Sequence, residues 1–348
     1  MRVIVVGRHH VDSFASEICD GLRGLGVQHR PFEVGPRMFE NHGPVSRFAK
    51  RVTSVWRSIT EKADLLRRGP RLLRTVLDFD ADLVLVAHDW LLPAHVADLK
   101  RSSRAAVCLW YPDAVSNFGR AFFLNAPYDA LFFKDPFVAT GIREKLGKPS
   151  YYLPECALPQ PAPEPDEPDA SLACDVTIAG NLYSYRQAFF AQLANYDVRI
   201  WGNPPPFWMQ MGAVGRMVQN RYLTGVALGR AYRSAKVVVN SLFVSEVWGV
   251  NARAFSVCAH GAFQMIDHRP ALAQLFRDGE EVVTFGGIED LRAKLDFYLQ
   301  RAEDRARIAL AGRARVLRDH TYERRLALLM DTVRGTGGGF PLPDSERP

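Results

Sequence analysis

Asn251 and Arg253 stand where a strand hands over to a helix, and that junction is where chemistry is easiest to place. Val237, Val238 and Val239 form a β-branched run that favours a buried strand. Residues 240–250 then read as a polar loop punctuated by Gly249, and 252–259 as a helix with Asn251 as its N-cap and Gly261 as its stop. A loop entering a helix after a parallel strand presents unpaired N–H groups and the positive end of the helix dipole, so it attracts phosphate. Arg253, in the first turn, can add a bidentate contact. The same residues have an ordinary structural reading, in which Arg253 is a solvated surface arginine and Asn251 a plain cap.

A second junction of this kind follows residues 175–179. Gly180 permits close backbone approach to a ligand, Asn181 follows it, and Arg186 falls in the first turn of the next helix. Two fixed cations of this kind could hold a phosphate group. In the first half of the chain, strand ends present His9, His10, Asp12, His88, Asp89, Asp113 and Asp135, any of which could act as a base or orient a hydroxyl. Each has an equally ordinary use as a cap, a turn residue or a satisfied histidine. LWYPD, NPPPFW and SEVWG are aromatic loops suited to stacking on sugar rings or bases, or simply to packing.

The elements that must position these groups alternate along the chain. Strands are expected at 3–6, 27–34, 81–87, 105–111, 130–133 and 150–153, and again at 175–179, 197–201, 237–239 and 262–266, with helices between them. That alternation predicts parallel sheets covered on both faces. The stretch from Pro154 to residue 173 carries six prolines and several acids, and reads as a linker. It divides a first domain, 1–153, from a second, 174–320, and two such domains place a ligand in the cleft at the carboxyl ends of the strands. A helix at 321–334 follows, and the Gly- and Pro-rich 335–348 reads as a disordered tail.

Composition narrows the class. The 348 residues are 47% hydrophobic and 24% charged, ordinary for a globular protein with a sizeable core, and no apolar run reaches membrane-spanning length. MRVIVVGRHH reads as a first strand rather than a signal peptide. Five cysteines, none in a C-x-x-C pair, fit reduced thiols in a cytoplasmic protein. No zinc spacing occurs, and the adjacent His9 and His10 point opposite ways on an extended segment. Nucleophile-elbow, Walker, zincin and kinase motifs are absent from the sequence, and GLRGLG falls late in a helix, where it cannot serve as a dinucleotide fingerprint.

The net charge of +6 is uneven. Ten basic residues face three acidic ones between Arg37 and Arg74, interleaved with apolar residues at helical spacing and broken near Gly69-Pro70. This basic region, 44–76, can be a solvated face, a contact with an anionic membrane surface presenting a lipid-linked acceptor, or a contact with an acidic polymer; nucleic acid is the least favoured partner.

SEVWGVNARAFSVCAHGAF, followed by LAQLFRDGEEVVTF and HTYERR, resembles the C-terminal region of the CgeB-like, spore-maturation-protein-type glycosyltransferases of group 1. The resemblance covers most of the chain and is densest from Asp175 to Arg325. It implies a GT-B fold, two Rossmann-like parallel-sheet domains facing a central cleft, with the last helix crossing back to the first domain. It implies a hexosyltransferase-type, metal-independent enzyme that binds no cofactor and takes a sugar from a nucleoside-diphosphate sugar. The acceptor is left open as glycan, lipid-linked, protein or small molecule. Gly180, Asn181, Arg186, Glu246, Gly249, Asn251, Arg253 and Ser256 are then the donor-binding set, with Glu246 facing the donor. CLWYPDAVSNF resembles the family's aromatic-acid segment and makes Asp113 the first catalytic candidate, ahead of His9. One departure stands out. Ser256 occupies the place of a family glutamate that binds ribose hydroxyls, and it cannot supply a charge-assisted bond. Two alternatives follow, a catalytically degenerate nucleotide-binding scaffold and a nucleotide-sugar epimerase of the same fold. The expected location is the cytoplasm, with peripheral contact at the inner membrane face as an option.

Overall fold

The computed structural model describes residues 1–35, 64, 67–119, 121–160 and 169–343. Most of the basic 44–76 region lies outside these residues. The first half runs β1 (Arg2–Gly7), α1 (Phe14–Gly24), β2 (Gln28–Glu33), α2 (Arg68–Phe79), β3 (Leu83–Ala87), α3 (Pro93–Ser102), β4 (Ala106–Tyr111), β5 (Ala130–Phe133), α4 (Pro136–Leu146) and β6 (Ser150–Tyr152). Its strands form one parallel sheet in the order β2-β1-β3-β4-β5-β6. The apolar runs of β1, β3 and β5 are buried on both faces, as a sheet sandwiched between helices requires.

The second half runs β7 (Cys174–Ala179), α5 (Ser184–Ala191), β8 (Val198–Trp201), α6 (Gly225–Ser234), β9 (Ala235–Asn240), α7 (Arg253–Ala259), β10 (Gln264–Asp267), α8 (Leu272–Leu275), β11 (Val283–Phe285), α9 (Ile288–Leu299), α10 (Ala302–Asp319) and α11 (Tyr322–Val333). These strands form a second parallel sheet, β11-β10-β9-β7-β8. An apolar core cluster runs from the first sheet through Val250, Phe255 and Ile266 to Val316, so the two halves share buried surface.

Helix α11 packs on α1 of the first half. The Tyr322 hydroxyl donates to Glu17 Oε2 at 2.6 Å. A Cβ on Gly21 would come within 2.5 Å of the Tyr322 Cβ, so the two helices close only over a glycine.

Two expectations need correction, and a third is placed. The interruption expected near Gly69-Pro70 falls where α2 begins: Arg67 before it is left-handed at φ +48°, and Gly69 and Pro70 sit in the first turn, where proline's missing N–H is tolerated. Its Arg68 is buried and donates to the Trp90 carbonyl at 3.0 Å. The opening of the Pro-rich connector is packed, with Glu155, Cys156 and Ala157 buried and Ala157 N donating to His320 O at 3.1 Å. The tail expected to be disordered is packed over 335–343, and 344–348 lie outside the described residues. Phe340 N donates to Tyr152 O at 2.8 Å, its ring meets Tyr152 edge-on, and Gln274 Nε2 donates to Leu342 O. The tail therefore straps one half to the other.

Candidate functional site

Both sheets point their carboxyl ends at the junction between the halves, and the loops leaving β7, β9, β4 and β5 meet there. Gly180 ends β7 with φ +107°, a left-handed conformation that glycine alone adopts without strain. A Cβ at this position would lie 2.7 Å from Arg253 Nη1 and 3.0 Å from Arg186 Nη1. The missing side chain is what lets two guanidinium groups converge.

Arg186 is 2% exposed. It donates to the Asn181 carbonyl at 2.8 Å and the Ala179 carbonyl at 3.0 Å, while its buried Nε has no partner among the described residues. Burial, and then the nearby Arg253, lower its pKa to about 9. Arg253 enters from the other side, its Nε donating to Asn240 Oδ1 at 3.3 Å. Among the described residues neither arginine has a carboxylate partner. A buried cation without a counter-ion is costly unless a ligand supplies the negative charge.

Asn251 is not the cap that its position suggested. Ala252 takes that place, and Asn251 exchanges amide hydrogen bonds with Asn240 at 3.0 and 3.1 Å. Asn240 also donates to Gln264 Oε1, and Gln264 to the Ala254 carbonyl. This amide ladder orients Arg253. Helix α7 is only seven residues long, so the charge of the arginines, rather than a helix dipole, dominates the site. Asn181 is a loop strut, accepting from the Asn203 backbone and side chain. Ser256 faces the fully buried Tyr232, whose hydroxyl lacks a well-formed hydrogen bond. Tyr183 and Tyr185 stand edge-on to Phe243, giving an aromatic wall between the loops after β7 and β9.

Glu246 does not hang open toward a donor. It is buried, and its Oε1 accepts from Lys134 Nζ of the first half at 2.8 Å, while Oε2 has no partner among the described residues. Glu155 on the connector lies 3.8 Å from the same ammonium. Burial opposes the charge on Lys134, but the Glu155 and Glu246 carboxylates outweigh it and hold its pKa raised. Burial pushes Glu155 up to about 8 against the pull of Lys134. Next in the chain, Asp135 caps α4 and also accepts from Val247 N at 2.9 Å and Trp248 N at 3.2 Å. Gly249 lets this loop seat: a Cβ there would meet the Lys134 carbonyl at 2.6 Å.

On the acceptor side, Asp113 follows β4 and pairs with His88, which follows β3. His88 Nδ1 accepts the Asp89 N–H at 2.8 Å, so Nε2 carries the proton and donates to Asp113 Oδ2 at 3.1 Å. The His88 ring lies between Trp90 and Tyr111, with centroids at 5.0 and 4.7 Å. Partial burial would raise the Asp113 pKa, but the hydrogen bond from His88 and the nearby Lys134 charge hold it below the usual carboxylate value. His9 is placed elsewhere. It follows β1, its backbone N donates to Glu33, and its ring reaches the Val5 carbonyl. It lines a cavity with His10, Asp12 and Glu17. Asp89 accepts from Phe122 N and Phe123 N, and so serves the local turn.

Lys134, Glu155, Asn240 and Tyr232 were not singled out from sequence. Only Lys134 left a trace there, as a lysine at the end of the apolar strand ALFF.

The geometry has counterparts among known proteins. Residues 186–331 match the family model described as glycosyl transferase-like. Among curated proteins no sequence matches the chain. A glycosyltransferase from Rickettsia africae superposes with a TM-score of 0.65 at 11% identity, covering 96% of this chain and 98% of the other. A sucrose-phosphate synthase from Thermosynechococcus elongatus gives 0.63 at 13% identity, with 96% and 98% covered. HepE from Anabaena, solved with UDP, gives 0.62 at 10% identity, with 96% and 100% covered. The fold is therefore GT-B, two parallel-sheet α/β domains facing one another, and its second half carries the glycosyl transferase-like signature.

Proposed function

We propose that this protein is a GT-B glycosyltransferase that binds a nucleoside-diphosphate sugar in the second half and passes the sugar to an acceptor bound against the first. The observation that carries the reading is the convergence of Arg186 and Arg253 at Gly180 without a carboxylate partner among the described residues. Such a pair fits a diphosphate, and it stabilises the charge that grows there as the sugar departs. That fixed cations suffice, without a metal, belongs to this reading. Anabaena HepE solved with UDP-glucose, and a trehalose-6-phosphate protein from E. coli solved with UDP-2-fluoro glucose, make UDP-sugars the first donors to try. The finer CgeB-like assignment rests on the segments from Ser245 to Phe263 and 272–285.

Asp113, held as an anion by His88, is the group that receives the acceptor hydroxyl. Its depressed pKa makes it a better orienter than base. In a reaction that retains configuration, the leaving phosphate can take the proton. His9 follows β1, the neighbour of β3, and in this reading it borders the acceptor.

A second reading is a nucleotide-binding protein without turnover. It is favoured by Ser256, which meets Tyr232 where the family's glutamate would reach the ribose. The two separate in one experiment. The protein is screened by thermal shift against UDP, GDP, TDP, ADP and CMP, with and without magnesium, then incubated with the sugar form of the best binder. A nucleotide at 100 times its Kd adds about 2.7 kcal/mol of stability. Stabilisation followed by release of the nucleoside diphosphate supports the transferase; stabilisation without release supports the scaffold; no stabilisation overturns both.

A further inference from the structure

The donor-side loop 241–250 is held by the opposite half of the molecule, and the grip comes from two consecutive residues at the end of β5. Asp135 takes the backbone N–H groups of Val247 and Trp248, and Lys134 takes the Glu246 carboxylate. Lys134 is 4% exposed, and Glu246 and Glu155 are each 7% exposed. The group spans three parts of the chain: the first sheet, the connector and the second-half loop. One oxygen of Glu246 is used by Lys134, while the other is buried and has no partner among the described residues. In a carboxylate anchored through one oxygen, the second is left as a fixed acceptor for a hydroxyl.

We propose that Lys134 is a positioning residue for the donor sugar: it fixes Glu246 from across the junction so that Oε2 accepts a hydroxyl of the sugar. Glu155 is the third member of the cluster. It lies 3.8 Å from the ammonium and holds Lys134 from the connector side. The charged groups facing this cluster are Asp113 from the loop after β4 and Glu17 from α1, both carboxylates, so the lysine is the centre of a negative environment. Tying the loop to the first half also means that donor-sugar recognition depends on how the two halves meet, and not on the second half alone. This inference rests on the nucleotide-sugar reading of the cleft and goes beyond it in assigning the sugar to a device that the first half controls.

The test compares UDP with UDP-glucose by calorimetry on wild type, Lys134→Met, Lys134→Arg and Glu246→Gln. The arginines hold the diphosphate and Lys134 serves the sugar. Lys134→Met should therefore weaken UDP-glucose about tenfold and UDP less than twofold, and Lys134→Arg should recover most of the loss. Glu246→Gln should reproduce the loss, and the double variant should add nothing further, because the two side chains act as one unit. Equal weakening of both ligands, or of neither, overturns the assignment. If wild type binds neither ligand, the donor-site reading falls, and backbone amide exchange still decides the positioning claim. Lys134→Met must then accelerate exchange at Val247 and Trp248 about tenfold while leaving β1 and β7 unchanged, and unchanged exchange at the loop refutes it.

Discussion

At the scale of single residues, two cations at the junction lack a counter-ion among the described residues. Arg186 is buried, its two carbonyl bonds satisfy the guanidinium only in part, and its neighbour is another arginine. In the absence of ligand it is a liability that the fold tolerates. Replacing it with methionine, which keeps the volume, should leave the ligand-free melting temperature unchanged or higher. The same change should cut the stabilisation by a nucleoside diphosphate, with an affinity loss of at least tenfold, about 1.4 kcal/mol. Thermal melts with and without UDP measure both. A variant that is destabilised without ligand yet still responds fully to UDP would show that Arg186 is structural. The position of Arg186 was legible in the sequence, as an arginine one turn into the helix after Gly180. Its burial was not, because no local pattern tells which charged side chain will be covered by the rest of the chain. The same applies to Asn251: an asparagine before a helix reads as a cap, and only the fold shows that Asn240, eleven residues upstream, claims its amide.

At the scale of elements, the junction is built from close backbone approaches. Gly249 meets the Lys134 carbonyl and the Asp135 Cα, and these atoms cannot swing aside as a flexible side chain could. Gly249→Ala should therefore cost about 1–3 kcal/mol of stability, the usual penalty for overpacking, and a denaturant titration reads it directly. A neutral effect would mean that the halves slide apart easily, and the grip on loop 241–250 would lose its basis. The strands themselves were readable, because both sheets are parallel and buried on both faces, so β3, β5 and β9 appear as short apolar runs with boundaries within about two residues of those observed. The tail was not readable. Its glycines and prolines suggested disorder, yet Phe340 packs on Tyr152 and its backbone N donates to the Tyr152 carbonyl.

At the scale of the whole molecule, the two halves share a buried cluster of charge, and stability should report it through pH. Glu155 has a folded-state pKa of about 8 against an ordinary value near 4.5. Between those two values the folded chain binds more protons than the unfolded one, so stability falls as pH rises through this window. Below about 4.5 the group contributes no slope, and above about 8 the loss is complete. Glu155→Gln, which keeps the shape and removes the titration, should flatten the decline between pH 5 and 8 in chemical denaturation. An unchanged slope would show that Glu155 is already ionised and fully paired with Lys134. Among the described residues no helix is long and apolar enough to cross a membrane. Membrane contact through the basic 44–76 region remains a separate proposal, carried by sequence charge alone. The two-domain division could be inferred from composition, since the run of prolines after residue 153 interrupts two alternating patterns. How the halves are joined could not, because Lys134, Glu155 and Glu246 are far apart in sequence and none belongs to a motif with the others.

The central claim is that Arg186 and Arg253 form a diphosphate site. The most direct measurement is a calorimetric titration of UDP into wild type and into Arg253→Ala, at low and at moderate salt. The account predicts binding to wild type that weakens as salt screens the charge, and a loss of at least tenfold in the variant. Equal affinity in the two proteins, or the absence of binding by UDP and by every other nucleoside diphosphate, would contradict it.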